Sequence, residues 1–90
     1  MIIKGLDFKQ TCGGCPEQYD VFKDGKQVGY IRLRWGGLSC RYPDHEGDAI
    51  YSESFDDGWK GCFDDDNERN KYLLEIANAL NDYLEKQENA

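Results

Sequence analysis

One histidine, one methionine and two prolines stand among ninety residues, and no apolar run nears the roughly 18 residues of a membrane helix. The opening stretch MIIKGLDFKQ also lacks the long apolar core of a secretory signal. A reducing cytoplasm is therefore the expected compartment, and no membrane is expected as a partner. His45, the single histidine, lies in the loop PDHEGD beside Asp44 and Glu46, where it reads as a solvated side chain with no catalytic pairing. Neither GxxxxGK[ST] nor GxGxxG occurs, so no phosphate-cradling loop of those kinds is present. The aspartates of 56–57 and 64–66 do not follow calcium-loop spacing. A chain this short also offers little concavity to raise a carboxylate pKa for acid–base work. These absences leave the enzyme class disfavoured.

Bases are scarce too: 11 against 18 acids, for a formal charge of −7. Duplex binding by counterion release needs a basic face, so the total argues against it. Position matters more than the total. Residues 1–43 hold seven bases and four acids, +3, whereas residues 44–68 hold ten acids and Lys60 alone, −9. The last 22 residues come to −1. With 39% hydrophobic residues the chain exceeds the composition of a disordered segment, and its length allows a single domain, 1–90, with a small core.

Period-two patterns fill the first half. Asp24-Gly25 between Glu17–Lys23 and Lys26–Arg34 is a strong hairpin signal, because both turn residues tolerate positive φ. Folding about that turn sets Val21 against Val28 and Tyr19 against Tyr30. A second turn at Gly36-Gly37 sets Trp35 against Leu38, Leu33 against Cys40 and Ile31 against Tyr42. One face then carries Ile31, Leu33, Trp35, Leu38, Cys40, Tyr42 and Phe22. The other carries Tyr19, Val21, Val28, Tyr30, Arg32, Arg34 and Arg41. Residues 49–54 read as a further strand and 2–8 as an edge strand, with Pro16 and Pro43 at strand ends.

The C-terminus is clearer. Leu73, Ile76, Ala77, Leu80 and Leu84 make one stripe of an amphipathic helix, with N-cap and dipole-favoured charge from Asp64, Asp65 and Asp66. The stripe needs an apolar partner, and the sheet face is the large one available. The expected fold is α+β: an antiparallel meander of three to five strands (about 2–54), an acidic loop (55–65), and one helix (about 66–87) packed on one face.

Cys12-Gly13-Gly14-Cys15 has the spacing of a zinc knuckle. A structural site needs two more ligands. Cys40 and Cys62 are candidates, with His45 as a substitute, but no second CxxC follows. Cys40 also points into the sheet core, where a thiol acts as a small hydrophobe. No metal or other cofactor is thus assigned, and a small zinc-stabilised structural or accessory module held by Cys12 and Cys15 is the alternative. Redox chemistry is disfavoured because Pro16 and a strand follow the pair.

Two surfaces can bind. Carboxylates at Asp56, Asp57, Asp64, Asp65, Asp66 and Glu68 surround Trp59, and aromatic anchors within a one-sign patch suit a protein interface. Trp59 and Phe63 can equally tuck under the helix as core. The second surface, Tyr30 with Arg32 and neighbouring arginines, has the residue types that stack and neutralise single strands, yet the whole-chain charge opposes direct nucleic-acid binding.

The stretch CGGCPEQYDVFKDGKQVGYIRLRWGGLSCRYPD, followed by the Asp-rich approach to a Tyr-Leu-Leu helix, resembles a group of small acidic proteins of phages and prophages of Gram-positive bacteria. That resemblance carries over no catalytic or binding residue. It implies a setting, since small acidic phage proteins include anti-CRISPR inhibitors, several of which mimic DNA. The expectation is a non-enzymatic binding protein acting in the cytoplasm of an infected or lysogenic host. Its acidic segment would engage a basic partner such as a CRISPR effector or another host nuclease, and the chain would be a monomer or homodimer.

Overall fold

Three two-residue turns, each ending in glycine, fold the first half of the chain back on itself in the computed structural model, which describes residues 1–12 and 14–89. Asp24-Gly25 (φ 53° and 82°) joins β3 (Glu17–Lys23) to β4 (Lys26–Arg34). Trp35-Gly36 (φ 53° and 71°) joins β4 to β5 (Gly37–Tyr42), and Lys4-Gly5 joins β1 (Ile2–Ile3) to β2 (Leu6–Gln10). Positive φ at both central residues matches the twist of a hairpin and favours glycine at the second. With β6 (Asp48–Ser54), the described residues form a six-stranded sheet in the order β1-β2-β3-β4-β5-β6, antiparallel throughout. Helix α1 (Asp66–Glu88) follows the loop and buries Leu73, Ile76, Ala77 and Leu80, with Leu84 packed beside them. The fold is α+β, with one strand more than the upper expectation because the N-terminal edge splits at Lys4-Gly5.

Two registers differ from the sequence expectation. Lys23 pairs with Lys26 and Phe22 with Gln27 as a two-residue turn requires, but the ladder then slips. Val21 meets Gly29 and Tyr19 meets Ile31, leaving Val28 as the extra residue of a β-bulge. One extra residue reverses the pleat, since side chains alternate with period two. Tyr19, Val21 and Val28 therefore belong to the core, and Phe22, expected inside, sits half-buried opposite Asp7. The second turn lies at Trp35-Gly36 instead of Gly36-Gly37, so Leu33 pairs with Leu38 and Ile31 with Cys40. This shift of two keeps Ile31, Leu33, Leu38 and Cys40 inside but lifts Trp35 out of the sheet.

The core lies between the helix and one sheet face, and at Gly29 the Leu80 side chain of the helix packs directly on the β4 backbone. A Cβ there would stand 3.0 Å from Leu80 Cδ2 and 3.3 Å from Val21 Cβ. Burial pushes the Cys40 thiol up to about 12, as expected of an inert core cysteine. Among the described residues no helix is long and apolar enough to cross a membrane.

Candidate functional site

The loop between β6 and α1 is the acidic segment singled out by charge, and it is tied down at several points. Phe55 N–H donates to Gly36 C=O (2.8 Å) and Gly36 N–H donates to Lys60 C=O (2.9 Å), so the loop grips the β4–β5 turn. Glu17 N–H donates to Gly61 C=O (2.7 Å). Cys15 and Cys62 are joined by a disulfide across 47 residues. Phe55 and Phe63 pack on Tyr72 of the helix, with ring centroids 5.1 and 5.9 Å away. A Cβ on Gly36 would lie 2.6 Å from Asp57 C=O, so only glycine permits this contact.

Beneath the loop lies Glu17, the one fully buried charged residue among the described residues. Glu17 is 2% exposed, and its carboxylate accepts from Tyr19 O–H, from Arg69 Nε (2.7 Å) and Nη2 (3.2 Å), and from Phe63 N–H (3.2 Å). Burial acts to raise its pKa. The bonds from Arg69, Tyr19 and Phe63 outweigh burial and hold the carboxyl below its ordinary value. Burial and the adjacent carboxylate push the Tyr19 hydroxyl far above its ordinary range, so it stays a donor. A buried, fully bonded ion pair of this kind fixes geometry. Here it pins the first turn of α1 and the end of the loop to β3.

The acidic candidates separate into two groups. Asp65 is the N-cap and accepts from Glu68 N–H at 2.8 Å. Asp64 and Glu68 both bind the Lys60 ammonium, at 2.8 and 2.9 Å, and Asp66 pairs with Arg69 at 2.5 Å. These four carboxylates are engaged within the loop and first helical turn. Asp56 and Asp57 make no ion pair with a described residue, and Asp57 Oδ1 accepts from Trp59 N–H (2.9 Å). They share the exposed loop with Trp59, which is 81% exposed. Phe63 by contrast is core.

Trp59 is not alone. Trp35, 60% exposed at the neighbouring turn, meets it edge-on with centroids 5.4 Å apart, and the Arg34 guanidinium stands 5.7 Å from the Trp35 ring. A shallow pocket beside the pair is lined by Cys15, Pro16, Arg34 and Gly61 together with both indoles. Trp35 occupies the left-handed region, where a bulky residue is a strained outlier. Sequence reasoning missed this partner because it placed Trp35 in the sheet. The available signal was the repeated X-Gly dipeptide, Lys4-Gly5, Asp24-Gly25 and Trp35-Gly36.

The zinc alternative loses its ligand set. Cys15 sulfur is bonded to Cys62, Cys12 is half-buried and free, and Cys40 is enclosed by the core. Among the described residues no three or more metal-ligating side chains converge. Exposed His45 lies 3.8 Å from the Glu46 carboxylate. Compared with known proteins, the chain matches no family model, no curated protein and no solved structure.

Proposed function

We propose that this is a non-enzymatic binding protein that docks on a basic partner through the Trp35–Trp59 pair and the flanking Asp56 and Asp57. The observation carrying this reading is an exposed tryptophan pair, Trp35 on the β4–β5 turn and Trp59 on the adjoining loop, which is held by backbone hydrogen bonds and the Glu17–Arg69 ion pair. Two large aromatics held out to solvent by a rigid frame have little ordering cost on docking, which is how interface hot spots gain affinity. Asp56 and Asp57 beside them supply steering toward cationic surfaces. The partner class is a nucleic-acid-binding host protein, for which a CRISPR effector or another host nuclease is the leading candidate given the phage-protein resemblance. Asp64, Asp65, Asp66 and Glu68 contribute to the field, but their first role is to build the loop.

Affinity capture from host lysate with matched variants tests the reading. Trp59→Ala should weaken capture of the specific partner by about 2 kcal/mol or more, roughly thirtyfold. The double reversal Asp56→Lys/Asp57→Lys should slow capture while leaving the thermal melt nearly unchanged. Equal capture by the wild type and both variants would sink the proposal.

A further inference from the structure

The sheet face turned away from α1 has no covering element among the described residues, and its chemistry differs from that of the loop. Arg32 sits in one cross-strand row with Gln18, Ser39 and Ser52, and Arg34 in the next with Gly37 and Ser54. Together with Trp35 these residues, Gln18 apart, line a depression of about 390 Å³. Leu38 and Glu53 border it too, but by strand alternation their side chains belong to the helix-facing side. Of the four arginines, Arg69 binds Glu17 and Asp66, and Arg41 donates to Gly47 C=O (2.8 Å). Arg32 and Arg34 make no hydrogen bond or ion pair with a described residue. Two guanidinium groups without a carboxylate partner among the described residues, Arg34 lying 5.7 Å from the Trp35 ring, thus share one depression with an indole and three hydroxyls.

We infer that this depression binds a short single-stranded nucleic acid. Along β4 the outward residues Tyr30, Arg32 and Arg34 succeed one another at about 7 Å, a step a stretched strand can follow. Trp35 offers an aromatic ring within the depression, and the arginines meet phosphates in forked hydrogen bonds. Tyr30 lies beyond Arg32 outside the depression, with its hydroxyl donating to Gln18 Oε1 (2.8 Å) and its ring edge-on to His45. An acidic peptide would use the arginines but not the indole, so the ring beside them favours nucleotides. Asp56 and Asp57 on the adjoining loop, with the overall charge of −7, repel phosphates beyond the depression and limit the contact to about two phosphates. The site does not use the loop carboxylates, but it shares Trp35 with the tryptophan pair proposed to meet a protein, so one chain presents that indole to a strand or to a protein partner and not to both.

The test is a fluorescence titration of the Trp59→Phe chain, in which Trp35 is the sole indole, with an oligothymidylate of about ten nucleotides at low salt. Saturable quenching is expected. The Arg32→Gln/Arg34→Gln variant should bind at least about tenfold more weakly, whereas Lys71→Gln on the helix should bind unchanged. Two phosphate contacts give a salt slope near −1.4, so a fourfold rise in salt should weaken binding by roughly sevenfold. Absence of quenching, or undiminished binding by the arginine variant, overturns the inference. So does equal competition by a polyglutamate peptide or by inorganic phosphate, either of which would show a site for anions alone. Because no partner protein is present, failure here leaves the capture result for Trp59→Ala separately readable.

Discussion

Glu17 concentrates more consequence than any other side chain in this protein. It is a carboxylate at the centre of four hydrogen-bonding groups, linking β3, the loop and the helix. Glu17→Gln removes the charge opposite Arg69 and should cost about 3 kcal/mol, read as a fall in denaturant midpoint at constant m-value. Its pH dependence has a definite sign. The folded carboxyl titrates below its ordinary value of 4.5, so its contribution is full above that value and is lost as the pH falls through the folded value. The wild type should therefore lose stability steeply in acid, and Glu17→Gln should flatten that slope. Trp35 makes the opposite case. It holds a positive-φ position that asparagine accepts more readily, so Trp35→Asn should leave the melting temperature unchanged or higher while weakening partner capture. Neither role could be read from the sequence. A glutamate at the start of a strand looks like a surface residue until Arg69, 52 positions later, arrives beside it.

At the scale of elements, the helix and the Asp24-Gly25 hairpin were legible because their signals are local: a 3.6-residue stripe, a capping aspartate, a dipeptide that tolerates positive φ. The face of Tyr19 and Val21 was not, since a single-residue bulge within β3–β4 reverses it without any mark in the composition. The acidic run was legible as charge but not as geometry. Lys60 pairs with Asp64 and Glu68 and Arg69 with Asp66, Asp65 caps the helix, and of the six candidate carboxylates Asp56 and Asp57 alone make no ion pair or helix cap among the described residues. The Cys15–Cys62 bond was not expected because the lack of a signal-like apolar stretch points to a reducing compartment, where disulfides are rare. Its loop of 47 residues predicts a chain-entropy contribution of about 4 kcal/mol on the loop-closure model. Cys62→Ser should lower the melting temperature in oxidising buffer and change little in reducing buffer, where the wild type has already lost the bond. Gly29→Val tests the other junction. Its side chain would collide with Leu80 and Val21, and the variant should lose about 2 kcal/mol or more through displaced helix packing.

As a whole molecule, the protein is a sheet with two unlike sides. The helix covers one, and the other presents arginines, serines and tyrosine to solvent, while the overall charge stays at −7. The strands also occur in space in their order along the chain. Every strand can pair with its predecessor as soon as both have left the ribosome, an arrangement of short-range contacts that favours early formation. The loop cannot lock at that stage. Its anchors are Cys62 to Cys15, Arg69 to Glu17 and Tyr72 beneath Phe55, and most of them lie in the last third of the chain. Nascent chains halted after residue 54 should therefore carry the sheet with its arginine face, while the paired tryptophans are completed only once the helix is made. Assembly in this order separates the two surfaces in time: a ligand for the sheet could engage a growing chain, but a partner for the tryptophans must wait for a finished one.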